Sequence, residues 1–165
     1  MEKVKIKLNG GIMPKKATEG AAAYDLYVPE DVTLSNGRQI IDLKFSMELP
    51  QGYAATIQPR SGFSSKGIEV DRKFVEDGTC LDVETGVRVN GDVLRGLIDC
   101  DYRGNVGVII KVRRDSKPYE RLVIRKGTRI AQMQIVEVPQ VELIEVDELS
   151  ETNRGEGGFG HTGTR

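Results

Sequence analysis

Ile41, Leu43, Phe45, Met47 and Leu49 alternate with Asp42, Lys44, Ser46 and Glu48. A period of two puts every apolar side chain on one face of an extended chain, so the pattern predicts a single strand over 41–49 with one face buried. Val4, Ile6 and Leu8 alternate with Lys3, Lys5 and Lys7 in the same way, as do Tyr53, Ala55 and Ile57, and Val106, Val108, Ile110 and Val112. Further strands are expected at 121–124, 129–138 and 141–146, punctuated by turns at Pro50-Gln51-Gly52, Asn90-Gly91 and Lys126-Gly127. Helical spacing is nowhere sustained for three turns, although 61–67 suits one short helix. Many short strands at regular spacing predict an all-β jelly roll, sandwich or barrel.

Two segments stand outside this pattern. Residues 71–95 separate well-patterned regions and carry their own alternation at Leu81, Val83, Val87 and Val89, which predicts an added hairpin or excursion and a candidate surface for a protein partner. The last fifteen residues hold five glycines and one large apolar residue, Phe159, too little burial to offset the entropy of ordering them. That tail is expected to be mobile.

Bulk properties narrow the function. At 165 residues one domain is expected, large enough to bury about two-thirds of its unfolded surface. The 24 basic and 25 acidic residues nearly cancel, so no overall field draws the chain to nucleic acid or to a membrane, and a polyanion must be met locally. Cys80 and Cys100 fall in no metal-ligand spacing and read as reduced thiols. With no run of ~18 apolar residues and no signal-like N-terminus, a cytoplasmic location is expected.

Several short stretches could carry chemistry. Pro59-Arg60-Ser61-Gly62 offers a guanidinium fork, a hydroxyl and close backbone N–H groups, which suits a phosphate or a plain surface turn. In Gly96–Val108, Ile98 and Cys100 face one side while Leu97, Asp99 and Asp101 face the other, which reads as a hairpin with acids and Tyr102 at its mouth. A carboxylate there can activate water, and the tyrosine ring can pack on a sugar; a solvated acidic hairpin is the plainer alternative. Asp25, among apolar neighbours, either caps backbone or reaches a metal-bound water, and Gln132 either satisfies a neighbour or meets a phosphate. His161 is the only histidine and lies in the tail, which makes a nucleophilic triad improbable. Gly155, Gly157 and Gly160 spell G-x-G-x-x-G, but only five residues follow, so there is no helix to make a dinucleotide site.

Taken in order, AAAYDL, PRSG, GLIDCDYRG, RIAQ and RGEGGFGHTG resemble the five motifs of the trimeric dUTP diphosphatases, over positions 21–163. The resemblance implies a distorted jelly-roll subunit over 1–146, a homotrimer with sites assembled from more than one chain, and a C-terminal arm over 147–165 that closes on the site. It implies Mg²⁺-dependent hydrolysis of dUTP to dUMP and pyrophosphate, with Asp99 as general base and Tyr102 under the deoxyribose. Uracil would be read by backbone around Gly96, Leu97, Ile98 and Asp99, and at Gly107. Arg60, Ser61, Gly62 and Gln132 would contact phosphates. Asp25 would reach Mg²⁺ through water, the ion being held mainly by the triphosphate, and Arg154, Phe159, Gly160 and Thr162 would belong to the arm.

Some residues depart from the family pattern. The stretch 71–95 is longer than usual, Val93 stands near the place of a usual asparagine, His161 replaces a serine, and Ala23 replaces a glycine. The related dCTP deaminases would require a glutamate base in 105–112, which holds none.

Overall fold

The computed structural model describes residues 2–113 and 119–157. Strands β1 (Lys5–Leu8), β2 (Lys15–Lys16), β3 (Tyr24–Tyr27), β4 (Val32–Leu34), β5 (Gly37–Asp42), β6 (Phe45–Glu48) and β7 (Tyr53–Gln58) lead into one short helix, α1 (Ser61–Lys66). Then follow β8 (Ile68–Glu76), β9 (Thr79–Val89), β10 (Gly91–Val93), β11 (Gly96–Ile98), β12 (Gly107–Val112), β13 (Glu120–Ile124) and β14 (Arg129–Glu137). They form four sheets, ordered β1-β6, β10-β12-β5, β11-β7-β14-β3-β2 and β4-β13-β8-β9. This is the expected all-β, jelly-roll-like subunit. All four sheets bury side chains in one cluster, represented by Met47, Ile110, Leu26 and Leu122.

The alternation at 41–49 holds, but the single strand does not. All five apolar residues are buried, yet the chain bends at Lys44, a non-glycine residue in the left-handed region with φ 53°. Asp42 stabilises the bend by accepting the Lys44 N–H on its Oδ1 at 2.7 Å. Such side-chain-to-backbone bonds favour turns over continued strand. The bend sends β5 to β12 and β6 to β1, so one amphipathic run serves two sheets.

The strand expected at 141–146 is absent. Val141, Leu143, Ile144 and Val146 are half or more exposed, and none of the segment is hydrogen-bonded into a sheet. Alternation satisfies only the side chains of a strand; its backbone still needs a neighbour, and the chain supplies none there.

Of the stretch 71–95 set apart in the sequence, only the part up to Val89 belongs to a hairpin, which begins earlier and spans 68–89; Gly91–Val93 leave it as β10 to pair with β12. Asp77 and Gly78 both have positive φ, 46° and 80°, between the paired Glu76 and Thr79, which is the left-handed two-residue turn that matches strand twist. Near the base, Thr85 and Gly86 oppose Asp71 in a bulge, with Gly86 left-handed at φ 71°. An ion pair from the buried Asp71 to the exposed Arg125 ties the hairpin to the turn before β14, and this contact raises the Arg125 pKa.

The hairpin also meets the end of α1. Gly67 caps the helix at φ 78°, ψ −175°, a conformation essentially reserved for glycine, and donates its N–H to the Phe63 carbonyl at 2.9 Å. A Cβ at Gly67 would stand 2.5 Å from the Val89 carbonyl oxygen of β9. Gly67→Ala is therefore expected to cost about 2–4 kcal/mol through strain and clash together. Thermal unfolding should show this as a Tm lowered by roughly 5–10 °C.

Candidate active site

A buried carboxylate organises the first half of the site. Asp25 on β3 is 1% exposed, in register with Gln132 on β14, which is in turn in register with Gln58 on β7. Its Oδ1 accepts from Arg60 Nε at 3.0 Å and Gln132 Nε2 at 3.3 Å, and its Oδ2 accepts from Arg129 Nη1 at 3.2 Å. A charge taken out of water must be paired and hydrogen-bonded, and both oxygens meet that demand. The pairing fixes the two guanidiniums at the rim, where their remaining donors face outward. Arg129 opens RIAQ, and its contact with Asp25 follows from its position at the start of β14, one strand from Asp25, where the ladder has a bulge between Arg129 and Ala131.

Arg60 and Arg129 line a cleft of about 430 Å³ with Gly62, Lys66, Glu69 and Arg88. Arg60 is the extended N-cap of α1, and the Ser64 N–H donates to its carbonyl at 3.0 Å. Ser61 and Gly62 supply the first turn, whose N–H groups have no partner inside a helix. The cleft therefore presents cations and backbone donors in one place, a set of groups that suits phosphate oxygens.

The second half lies on the loop 99–106. The stretch from Gly96 to Val108 is not the expected hairpin: β11 pairs with β7, while β12 pairs with β10 and β5, so the loop crosses between sheets. The facing pattern nevertheless holds, with Ile98 buried and Leu97, Asp99 and Asp101 exposed. The Tyr102 N–H donates to the Asp99 carbonyl at 3.2 Å, closing a tight turn. The Asp99 side chain has no hydrogen bond or ion pair among the described residues and points its carboxylate to solvent.

A polar network absent from the sequence reading holds this loop. Asn105 donates to Asp42 Oδ2 at 3.0 Å and accepts from Asn9 at 2.9 Å, while its backbone carbonyl accepts from the Tyr102 hydroxyl at 3.0 Å. Tyr102 thus has its ring orientation set at the hydroxyl end and keeps 47% exposure. Gly104 lies under the ring, where an added Cβ would be 2.3 Å from the hydroxyl oxygen and 2.6 Å from Cζ. Gly107 sits at the start of β12, where a Cβ would be 2.9 Å from Ile40 Cγ2.

The chain does not bring its two halves together. Asp99 continues the β11 register to a level opposite Ala54, four residues along the sheet from the Gln58, Gln132 and Asp25 row, and three strands away from Asp25. At ~3.3 Å per residue and ~4.8 Å per strand, the separation is roughly 20 Å. Arg154 is exposed, its Nε donating to the Gly157 carbonyl at 2.7 Å. Phe159, Gly160, His161 and Thr162 lie outside the described residues.

Comparison with known proteins agrees with the motifs. The dUTPase family model matches residues 9–77 and 85–163, leaving only the hairpin tip between the two matched stretches. A deoxyuridine 5'-triphosphate nucleotidohydrolase of Nautilia profundicola is 39% identical, with 98% of this chain and 99% of the relative covered. Its namesake in Vaccinia virus is 38% identical over 92% of this chain and 86% of the relative. The structure of Staphylococcus bacteriophage 80alpha dUTPase with dUPNHPP superposes with a TM-score of 0.75 at 27% identity, covering 99% of both chains. The chain belongs to the dUTPase family.

Proposed function

We propose that the protein hydrolyses dUTP to dUMP and pyrophosphate. The observation that carries this reading is an unpaired, exposed Asp99 one turn from a ring-fixed Tyr102, in a chain that separately builds a cationic cleft around Asp25. Asp99 takes a proton from a water whose oxygen bonds to the α-phosphorus; the bond from that phosphorus to its bridging oxygen breaks, and pyrophosphate leaves. A free carboxylate suits a general base because no neighbouring donor competes for its lone pairs. Tyr102 packs against the deoxyribose and crowds out a 2′-hydroxyl, while backbone groups at Gly96, Leu97, Ile98 and Gly107 read uracil. Arg60, Ser61, Gly62 and Gln132 hold phosphates, and Arg154 with Phe159, Gly160 and Thr162 closes the site against bulk water.

Among the described residues no group of three or more His, Cys, Asp or Glu could hold a metal ion. Asp25 alone fits an ion carried in on phosphate oxygens and met through water, and its oxygens already serve Arg60, Arg129 and Gln132. Mg²⁺ bound in this way supplies charge neutralisation on the triphosphate. The residues do the positioning: a buried carboxylate aligns two guanidiniums before the substrate arrives, so little reorganisation remains in the transition state.

A homotrimer with shared sites follows from the same reading. Within one chain Asp99 stands ~20 Å from the Asp25 row around which the phosphate-contacting residues gather, whereas a general base must come within hydrogen-bond reach, directly or through one water. A second copy supplies the missing half. The exposed apolar residues Val141, Leu143, Ile144 and Leu149 give such an assembly surface to bury.

A panel of dUTP, dTTP, dCTP and UTP assayed for pyrophosphate release tests the reaction, and dUTP should be strongly preferred; equal turnover of UTP would remove the role given to Tyr102. Asp99→Asn should keep nucleotide binding and lower kcat by about a hundredfold or more. Gly104→Ala, which pushes the Tyr102 ring aside, should raise KM for dUTP and weaken selection against UTP, read from the two kcat/KM values. Co-expressing inactive Asp99→Asn and Arg60→Ala chains should restore about a quarter of wild-type activity if random mixing pairs each intact half-site with its complement. No recovery in verified mixed oligomers would mean that each chain works alone.

A further inference from the structure

The cleft beside α1 carries a cation that the catalytic reading leaves unused. Arg88 comes from β9 of the long hairpin and lines the same cleft as Arg60 and Arg129. Its Nη1 donates to the Gly67 carbonyl at 3.3 Å and its Nη2 pairs with Glu69. Lys66, on the last turn of α1, faces the same space and has no partner among the described residues. Four cations thus meet two carboxylates, Asp25 and Glu69, which leaves an excess of two positive charges in one cleft.

Position along the helix separates the cations. Arg60 caps the N-terminal end of α1 and Arg88 is fixed to the residue just past its C-terminal end. Six helical residues rise about 9 Å, so a polyanion gripped at Arg60 and laid along the cleft extends toward Arg88 and Lys66. A second, smaller cleft of about 220 Å³ adjoins the first through Glu69 and Thr128, and its wall includes Thr85 and Gly86 of the hairpin bulge. The bulge turns β9 at its base, next to the segment that carries Arg88 against α1.

We propose that Arg88 binds the distal end of the substrate's triphosphate, exchanging Glu69 for phosphate oxygens when nucleotide enters. The inference rests on the dUTP-hydrolysing reading. The exchange is favourable on physical grounds. The Arg88–Glu69 pair is solvent-exposed, with side-chain exposures of 45% and 55%, and exposed pairs contribute little. A terminal phosphate brings more charge and a planar match for the guanidinium fork. The hairpin thereby becomes a wall of the nucleotide site, joined to α1 by the tight approach of Val89 to Gly67.

The test is calorimetric binding of dUMP and of the imido analogue dUpNHpp to the full-length protein and to Arg88→Gln, with dUTP kinetics alongside. Arg88→Gln should weaken dUpNHpp by about tenfold, the scale of one charge-assisted contact, leave dUMP affinity as in the wild type, and show its kinetic loss in KM. Arg88→Lys should recover part of the loss, since lysine keeps the charge and loses the fork. Glu69→Gln, which removes the competing carboxylate, should tighten dUpNHpp a few-fold. Wild-type affinity for dUpNHpp in Arg88→Gln, or an equal loss for dUMP, overturns the assignment. A wild-type protein that turns over no dUTP overturns the underlying reading instead, so the two failures are distinguishable.

Discussion

The Asp25 carboxylate is the constraint on which the cationic cleft depends. It is buried beneath the cleft and reaches three side chains on two elements: Arg60 at the entry to α1, and Arg129 and Gln132 on β14. Removing such a partner leaves the two part-exposed guanidiniums without the counter-charge that orients them. The strength of the arrangement lies less in net stability than in geometry. Arg60 sits after Pro59 on an otherwise unrestrained cap with no side-chain bond of its own to the helix, so its direction is set by the carboxylate. The cleft is therefore preorganised by strand register, because Asp25, Gln132 and Gln58 occupy one row across the sheet.

The loop bearing Asp99 and Tyr102 depends on a different device. Asp42 ends β5 and uses one oxygen to turn the chain at Lys44 and the other to accept from Asn105. The same side chain thus splits the amphipathic run 41–49 between two sheets and anchors the loop between β11 and β12. Asn9, after β1, closes the network from the other side. Fold and site share this residue, which explains why the bend occurs where the alternating pattern gives no sign of it.

Much of the architecture is legible in the sequence because burial in small sheets has a period of two. β7, β12, β13 and β14 fall where alternation or compact apolar runs place them, and the helix falls on 61–66. The failures are equally physical. Alternation reports which face is buried and is silent on hydrogen-bond partners, so 41–49 reads as one strand although two sheets claim it, and 141–146 reads as a strand although no neighbour is present. Asp77-Gly78 was a readable turn signal for the hairpin tip. In the site, Arg60, Gln132 and Asp25 were singled out by type and motif, and the structure brings them together. Asn105 and Arg88 carried no local signal, since their contacts come from pairing across strands distant in sequence, and RIAQ contains Arg129 without marking its contact with Asp25.

In the proposed trimer the separation of Asp99 from the Asp25 cleft would have a functional meaning. A subunit that held base and phosphate cleft side by side would offer Asp99, exposed and unpaired, to the guanidiniums of Arg60 and Arg129, and an ion pair with either would consume the lone pairs a general base needs. The ~20 Å between Asp99 and the Asp25 row keeps such a pair from forming within a chain, while the cleft stays preorganised around Asp25. In the proposed trimer the halves face each other with substrate between them, so the attracting charges are separated by the triphosphate they act on. The hairpin fits the same logic. It builds one wall of the cleft through Glu69 and Arg88 of the chain that owns it.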